Sequence, residues 1–255
     1  MIKIKTQEEI EILKEGGRRH SSILKKLAKK VAVGVSTEEL ENLAVKLIKE
    51  GGDTPAFLNY KPYGAKRPFP TALCVSVNNE IVHGIPTESP HIMQEGDVVS
   101  IDLGLIHQGM ITDSAITVGV GKVSEEDRKL IEHCKESLML GIKQARGGNH
   151  IGDISDAIGS FARSHGYGIC AGLSGHGVGY KVHEDPYVPN EGRKGSGEKL
   201  KPGMVIAIEP MLTRGTDKIV LAKDGYTYKT ADGSNASHFE HTIAITDGAP
   251  IILTK

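Results

Sequence analysis

Apolar and polar positions alternate along the chain with two periods, and the switch between them marks out its elements. Residues 7 to 31 place Ile10, Leu13, Ile23, Leu24, Leu27 and Val31 near one face of a 3.6-residue repeat, which predicts a helix. A capping signal at Ser36 or Thr37, with Glu39 close behind, predicts a second helix through LENLAVKLIKEGG to a glycine stop. The pattern then recurs. Ser124-Glu125-Glu126-Asp127 opens a helix through LIEHCKESLMLGIKQARGG, and GDISDAIGSFARSHG supplies another ending at Gly166.

Strand-like runs follow each helix pair. VVSIDLGLI and MITDSAITV flank a short turn at His107-Gln108-Gly109, so they are expected to form an antiparallel hairpin. VIAIEP and HFEHTIAIT occupy the corresponding places further on. Two helices and then strands, twice over, describe an α+β chain of two similar halves, about 1–120 and 121–255, making one catalytic domain over 1–255.

Composition narrows the classes of function. The chain has 255 residues, 38% of them hydrophobic and 25% charged, enough to bury a substantial core. A net charge of −1 leaves no electrostatic footprint for nucleic acid or for an anionic membrane surface. No apolar run of membrane-spanning length occurs, and the amino-terminal MIKIKTQEEIEILKEGG turns acidic early, which predicts a cytoplasmic protein. The three cysteines, Cys74, Cys134 and Cys170, show no CxxC, so buried thiols are expected in place of disulfides or a thiolate zinc site.

Acids at matched strand positions carry the chemistry. Asp102 ends the apolar stretch EGDVVSID and Glu209 ends KPGMVIAIE. A two-residue loop at His107-Gln108 would set Asp102 directly opposite Asp113, with Cβ atoms roughly 4.5–5.5 Å apart. Glu240 in HFEHTIAIT takes the place that Asp113 has in DSAITV. A lone acid at a strand end is usually a cap or turn former, but four in matched pairs repel one another unless a cation lies between them. The glycine-bracketed His176 of GLSGHGVGYKVHEDP can join them, with His183 seven residues on. Four carboxylates and one imidazole suit Mn²⁺, Fe²⁺ or Co²⁺, with Zn²⁺ as a further candidate, and bridging carboxylates can hold two ions about 3.5–4 Å apart. His20, His91, His107, His133, His150 and His165 are expected in solvent, while His238 and His241 border Glu240, within reach of the site. The glycine clusters match no phosphate loop, and no GxSxG nucleophile turn occurs.

The ordered set VSVNNEIVHGIP, VSIDLGLI, MITDSAITV, GHGVGYKVHEDP, AIEPM and EHTIAIT resembles the type I methionine aminopeptidases from about residue 5 to the last strand. The resemblance implies a pita-bread fold, with Asp102, Asp113, His176, Glu209 and Glu240 as ligands of a dinuclear centre. His83 and His183 would act beside it, and Glu209 would shuttle the proton. It also implies removal of methionine from nascent polypeptides whose second residue is small. A transient ribosome contact and a monomeric state are expected with it, and the balanced charge gives no nucleic-acid-binding signature and no sign of a membrane partner. The short interval between Glu209 and Glu240, and no cysteine-rich extension, imply a bacterial-style form.

By position, Phe57, Tyr60, Phe69, Cys74, Val182 and Tyr226 would surround the substrate methionine. Val182 and Tyr226 depart from the phenylalanine and tryptophan common in the family, and KPYGAKRP resembles an insertion at the pocket rim. Singly, each aromatic is equally a packing residue. Three other readings are an Xaa-Pro aminopeptidase or prolidase with the same ligands, a non-catalytic pita-bread binding module, and a metal-dependent phosphoesterase. A filled ligand set argues against the second, and few basic residues near the motifs against the third.

Overall fold

The computed structural model describes residues 1–255. All four helices form where the periodicity places them. Helix α1, Gln7–Lys30, starts at Thr6 and α2, Thr37–Glu50, at Ser36; in each the cap hydroxyl accepts the third backbone N–H while Glu9 or Glu39 reaches back to the cap N–H. Ser124 caps α3, Glu125–Gln144, and α4 runs Ile151–Ser164.

In the first half, the ten-residue strand Val98–His107 lies between Leu73–Val77 and Met110–Gly119. The hairpin forms, but its register differs from the sequence expectation. Gln108 and Gly109 make the two-residue turn, both with positive φ (47° and 82°), and His107 pairs with Met110. Asp102 therefore faces Ala115, and Asp113 faces Gly104, so the two acids are diagonal neighbours. Asp102 also sits in mid-strand, not at a strand end.

The second half contains a five-stranded sheet in the spatial order Ile251–Ile252, His241–Ala244, Val205–Ile208, Ser174–Gly177, Glu184–Pro189. Glu209 directly follows its strand, as expected. Glu240 does not lie within one: it occupies the step between Ala236–His238 and His241–Ala244. At that step the chain crosses to the first half, where Glu240 N–H donates to Ala115 O at 2.9 Å and Ser114 Oγ to Glu240 O at 2.7 Å.

One core cluster packs α1 and α2 on the first sheet, through residues such as Leu24, Leu40, Ile101 and Leu103. A second packs α3 and α4 on the other sheet, through Leu130, Leu138, Ile158 and Ile206. A third joins the halves and includes Leu13, Phe57, Val178, Val205 and Tyr226. All three cysteines are free and buried, as expected.

The histidine expectation needs correction. His20 is wholly buried on the inner face of α1, its Nδ1 3.0 Å from Thr112 Oγ1, and burial pulls its pKa down to about 3. His107 is buried too, with Nδ1 2.7 Å from Asp53 Oδ1. Each is admitted to the interior because a polar partner meets it there. His91, His133 and His150 are half-buried, and His165 is exposed. No helix is long and apolar enough to cross a membrane.

Candidate metal centre

The five residues singled out as metal ligands converge between the halves. Asp102 and Asp113 come from the paired strands of the first half; His176, Glu209 and Glu240 come from the second. His176 Nε2 lies 3.4 Å from Glu209 Oε1 and 4.0 Å from Asp113 Oδ2. One donor atom each of Asp113, His176 and Glu240 fall within 4.8 Å of one another.

Local backbone explains several of these placements. His176 Nδ1 donates to the carbonyl of Gly177 at 2.9 Å, which leaves Nε2 as the free lone pair facing the acids. The ring is buried, and that burial lowers its pKa to about 3, so the imidazole is neutral and able to ligate. Gly175 cannot carry a side chain, since a Cβ there would fall 2.3 Å from Ala207 O. Thr242 clasps Asp113 by both backbone groups: its Oγ1 accepts Asp113 N–H at 2.8 Å and donates to Asp113 O at 2.7 Å.

The acids are buried beyond what their own surroundings can neutralise. Asp102, Asp113 and Glu240 are each less than one-tenth exposed. Burial first, and then mutual repulsion, raises the pKa of Asp113 and Glu240. Burial likewise raises Asp102 and Glu209. Asp102 Oδ1, Asp113 Oδ1 and Glu240 Oε1 have no hydrogen-bond partner. The basic side chains that meet the acids of the site are histidines, His176 beside Asp113 and Glu209 and His238 beside Glu209, with no lysine or arginine among them. Unpartnered buried carboxylate oxygens beside a neutral imidazole fit a divalent cation, and hard-to-borderline ions match this oxygen-rich set.

Two further histidines overlook the acids. His183 stands in the turn between Ser174–Gly177 and Glu184–Pro189, its ring perpendicular to that of His176 with centroids 4.5 Å apart. Its Nδ1 is 2.9 Å from the hydroxyl of Tyr60. His83 follows the strand Glu80–Val82 with φ of 59°, a left-handed conformation that among non-glycine residues favours asparagine, aspartate and histidine. Burial, with His183 and His238 nearby, lowers its pKa to about 4. Gly84 permits that turn, because a Cβ there would come within 2.1 Å of Val75 O.

Phe57, Phe69, Cys74, Val182 and Tyr226 fall in one buried cluster, with Tyr60 packed against it. Phe69 meets Phe57 edge-on at 6.5 Å and Tyr226 at 5.1 Å. The segment 61–68 is tied to this wall, since the Tyr226 hydroxyl donates to Arg67 O and Arg67 pairs with Glu88.

His238, one of the two histidines bordering Glu240, does reach the site. It is 1% exposed, neither ring nitrogen has a hydrogen-bond partner, and Nε2 is 3.5 Å from Glu209 Oε2. His241 points away, its Nδ1 2.9 Å from Thr254 Oγ1. Sequence reasoning missed Thr242 altogether; its place two residues after Glu240, on the same face of an extended segment, was the available signal.

The sequence model of metallopeptidase family M24 matches residues 11–247. A methionine aminopeptidase of Aquifex aeolicus is 47% identical over 100% of this chain and 99% of its own. Methionine aminopeptidase 1 of Bacillus subtilis is 41% identical, with 100% of both chains covered. Among solved structures, a methionine aminopeptidase from Thermotoga maritima superposes with a TM-score of 0.95 at 40% identity, covering 100% of both chains. A Pyrococcus furiosus prolidase shares the fold at a TM-score of 0.76 and 24% identity, with 99% of this chain matched to 65% of that one. The chain has the pita-bread fold and belongs to metallopeptidase family M24 and, within it, to the methionine aminopeptidases.

Proposed function

We propose that the chain removes the amino-terminal methionine from polypeptides whose second residue is small, with Asp102, Asp113, His176, Glu209 and Glu240 holding two divalent ions. The observation that carries this reading is the set of partnerless oxygens on Asp102, Asp113 and Glu240, buried beside a neutral His176. Divalent ions bound there would supply Lewis acidity, lowering the pKa of water and polarising the scissile carbonyl. Mn²⁺, Fe²⁺, Co²⁺ and Zn²⁺ all suit the donors.

The remaining work falls to side chains. Glu209 accepts the proton of the attacking water and passes it to the leaving amine. His183 donates from Nε2 to the oxygen on which negative charge develops; the Tyr60 hydroxyl, donating to Nδ1, sets that tautomer. His83 holds the substrate backbone beside the scissile bond. Residues 1–255 act as one catalytic unit, because the ligands come from both halves. Nascent polypeptides are the substrate source, which places the monomeric chain in the cytoplasm, in transient contact with ribosomes.

Specificity follows from the two walls of the site. Unbranched thioether carbon and sulfur suit the edges of Phe57, Tyr60, Phe69 and Tyr226, with Cys74 and Val182 closing the pocket. The second residue would lie beside His83 and the ligands, where walls fixed by ligation leave room for little beyond a methyl group. A kcat/KM series over Met, norleucine, Leu, Val and Pro, each followed by Ala-Ser, is expected to favour Met. Norleucine and Leu should follow within the about 1–3 kcal/mol that one methylene is worth in an apolar pocket. Met-Lys and Met-Phe ends should be spared. Preference for Pro or Val over Met would overturn the substrate assignment.

A further inference from the structure

The turn that carries His183 is held from beneath by a buried ion pair that plays no part in the chemistry above. Glu184, next in the chain to His183, uses its two oxygens separately. Oε1 accepts the backbone N–H of Tyr180 at 2.5 Å and of Lys181 at 2.9 Å, closing the turn on itself. Oε2 accepts from Lys5 Nζ at 2.7 Å, and the two side chains are only 1% and 7% exposed.

Lys5 is itself fixed, although it belongs to the segment before α1. Its backbone N–H donates to Gly203 O at 2.8 Å, and its Nζ lies 4.8 Å from the centre of the Tyr180 ring. The Tyr180 hydroxyl in turn bonds both carboxylate oxygens of Glu9 at 2.8 Å. The Lys5 side chain lies directly against the turn: a Cβ on Gly179 would fall 2.6 Å from Lys5 Cε. Tyr60 also holds His183, its hydroxyl 2.9 Å from Nδ1.

A buried ion pair adds little net stability over an apolar pair of the same shape, because both charges lose their hydration. What it does supply is direction, since Lys5 reaches one oxygen of one carboxylate through one geometry. We propose that Lys5 is a positioning residue: through Glu184 it holds the 180–184 turn so that His183 stays between Tyr60 and His176. The inference rests on the reading of His183 as donor to the carbonyl oxygen.

A double-mutant cycle on kcat, at saturating Mn²⁺ with Met-Ala-Ser, tests it. His183→Ala is expected to lower kcat by about 10²–10³, the range for loss of one such donor. Lys5→Met should lower it about tenfold in the wild-type background, a factor typical of coupled neighbours. In the His183→Ala background Lys5→Met should change nothing further, and bound Mn²⁺ should be equal in all four proteins. Glu184→Gln, which keeps an acceptor for Tyr180 and Lys181, replaces Lys5→Met in the cycle if the latter does not fold. Equal slowing in both backgrounds would overturn the role of Lys5 alone. An unchanged kcat in His183→Ala would remove the reading of His183 and the role of Lys5 together.

Discussion

Replacing Glu209 by glutamine is expected to lower kcat by about 10²–10⁴, the span that general acid–base catalysis contributes. The substitution preserves shape and deletes only the charge and the proton acceptor. Glu209 is suited to that task by position. It follows the buried strand Val205–Ile208, so its backbone is rigid, and Asn190 Nδ2 donates to its carbonyl at 3.0 Å. Its carboxyl oxygens lie between two histidines, 3.4 Å from His176 Nε2 and 3.5 Å from His238 Nε2. Glutamine can occupy that space without leaving a buried charge, so thermal stability should be kept or raised. Turnover is to be read at saturating metal, with metal content measured in parallel, because Glu209 is also a proposed ligand. Near wild-type kcat in a metal-replete Glu209→Gln protein would show that the proton goes elsewhere.

His176→Ala should weaken metal retention by at least about 10–100-fold, since even a partner that merely supports a ligand is worth that much. It removes the only nitrogen among the proposed ligands, and the remaining carboxylates then face one another without it. Asp113→Ala should act in the same direction. Folding should survive both, because clusters of 19, 16 and 16 buried residues enclose the site from each half and from the seam between them. Titration calorimetry with Mn²⁺ on the folded variants reads the effect directly. Wild-type affinity in His176→Ala would take this residue out of the centre.

Local signals and long-range ones were legible to different degrees. Capping boxes at Thr6 and Ser36 involve residues three apart, so the helix starts can be read from the chain itself. The phase of α1 also pointed to His20, seven residues after Leu13 and four before Leu24, yet residue type suggested solvent. Thr112, 92 residues away, is what makes its burial tolerable. The hairpin register failed for a similar reason. His107 stays in the strand because its ring meets Asp53, and the turn then passes to Gln108 and Gly109. The acids survive this shift because diagonal neighbours on one sheet face still reach a common point. Glu240 was read within a strand because its flanks alternate, whereas the chain crosses between halves there. Thr242 around Asp113, Tyr60 on His183 and Lys5 under Glu184 all join residues more than 120 apart, beyond any local pattern.

Hydrolysis of Met-Ala-Ser by protein stripped with chelator and then titrated with Mn²⁺, Co²⁺ or Fe²⁺ bears most directly on the central claim. The stripped protein should remain folded by circular dichroism and release no methionine, and activity should return as metal is added. Undiminished methionine release by folded protein that holds no metal would contradict a catalytic centre built from Asp102, Asp113, His176, Glu209 and Glu240.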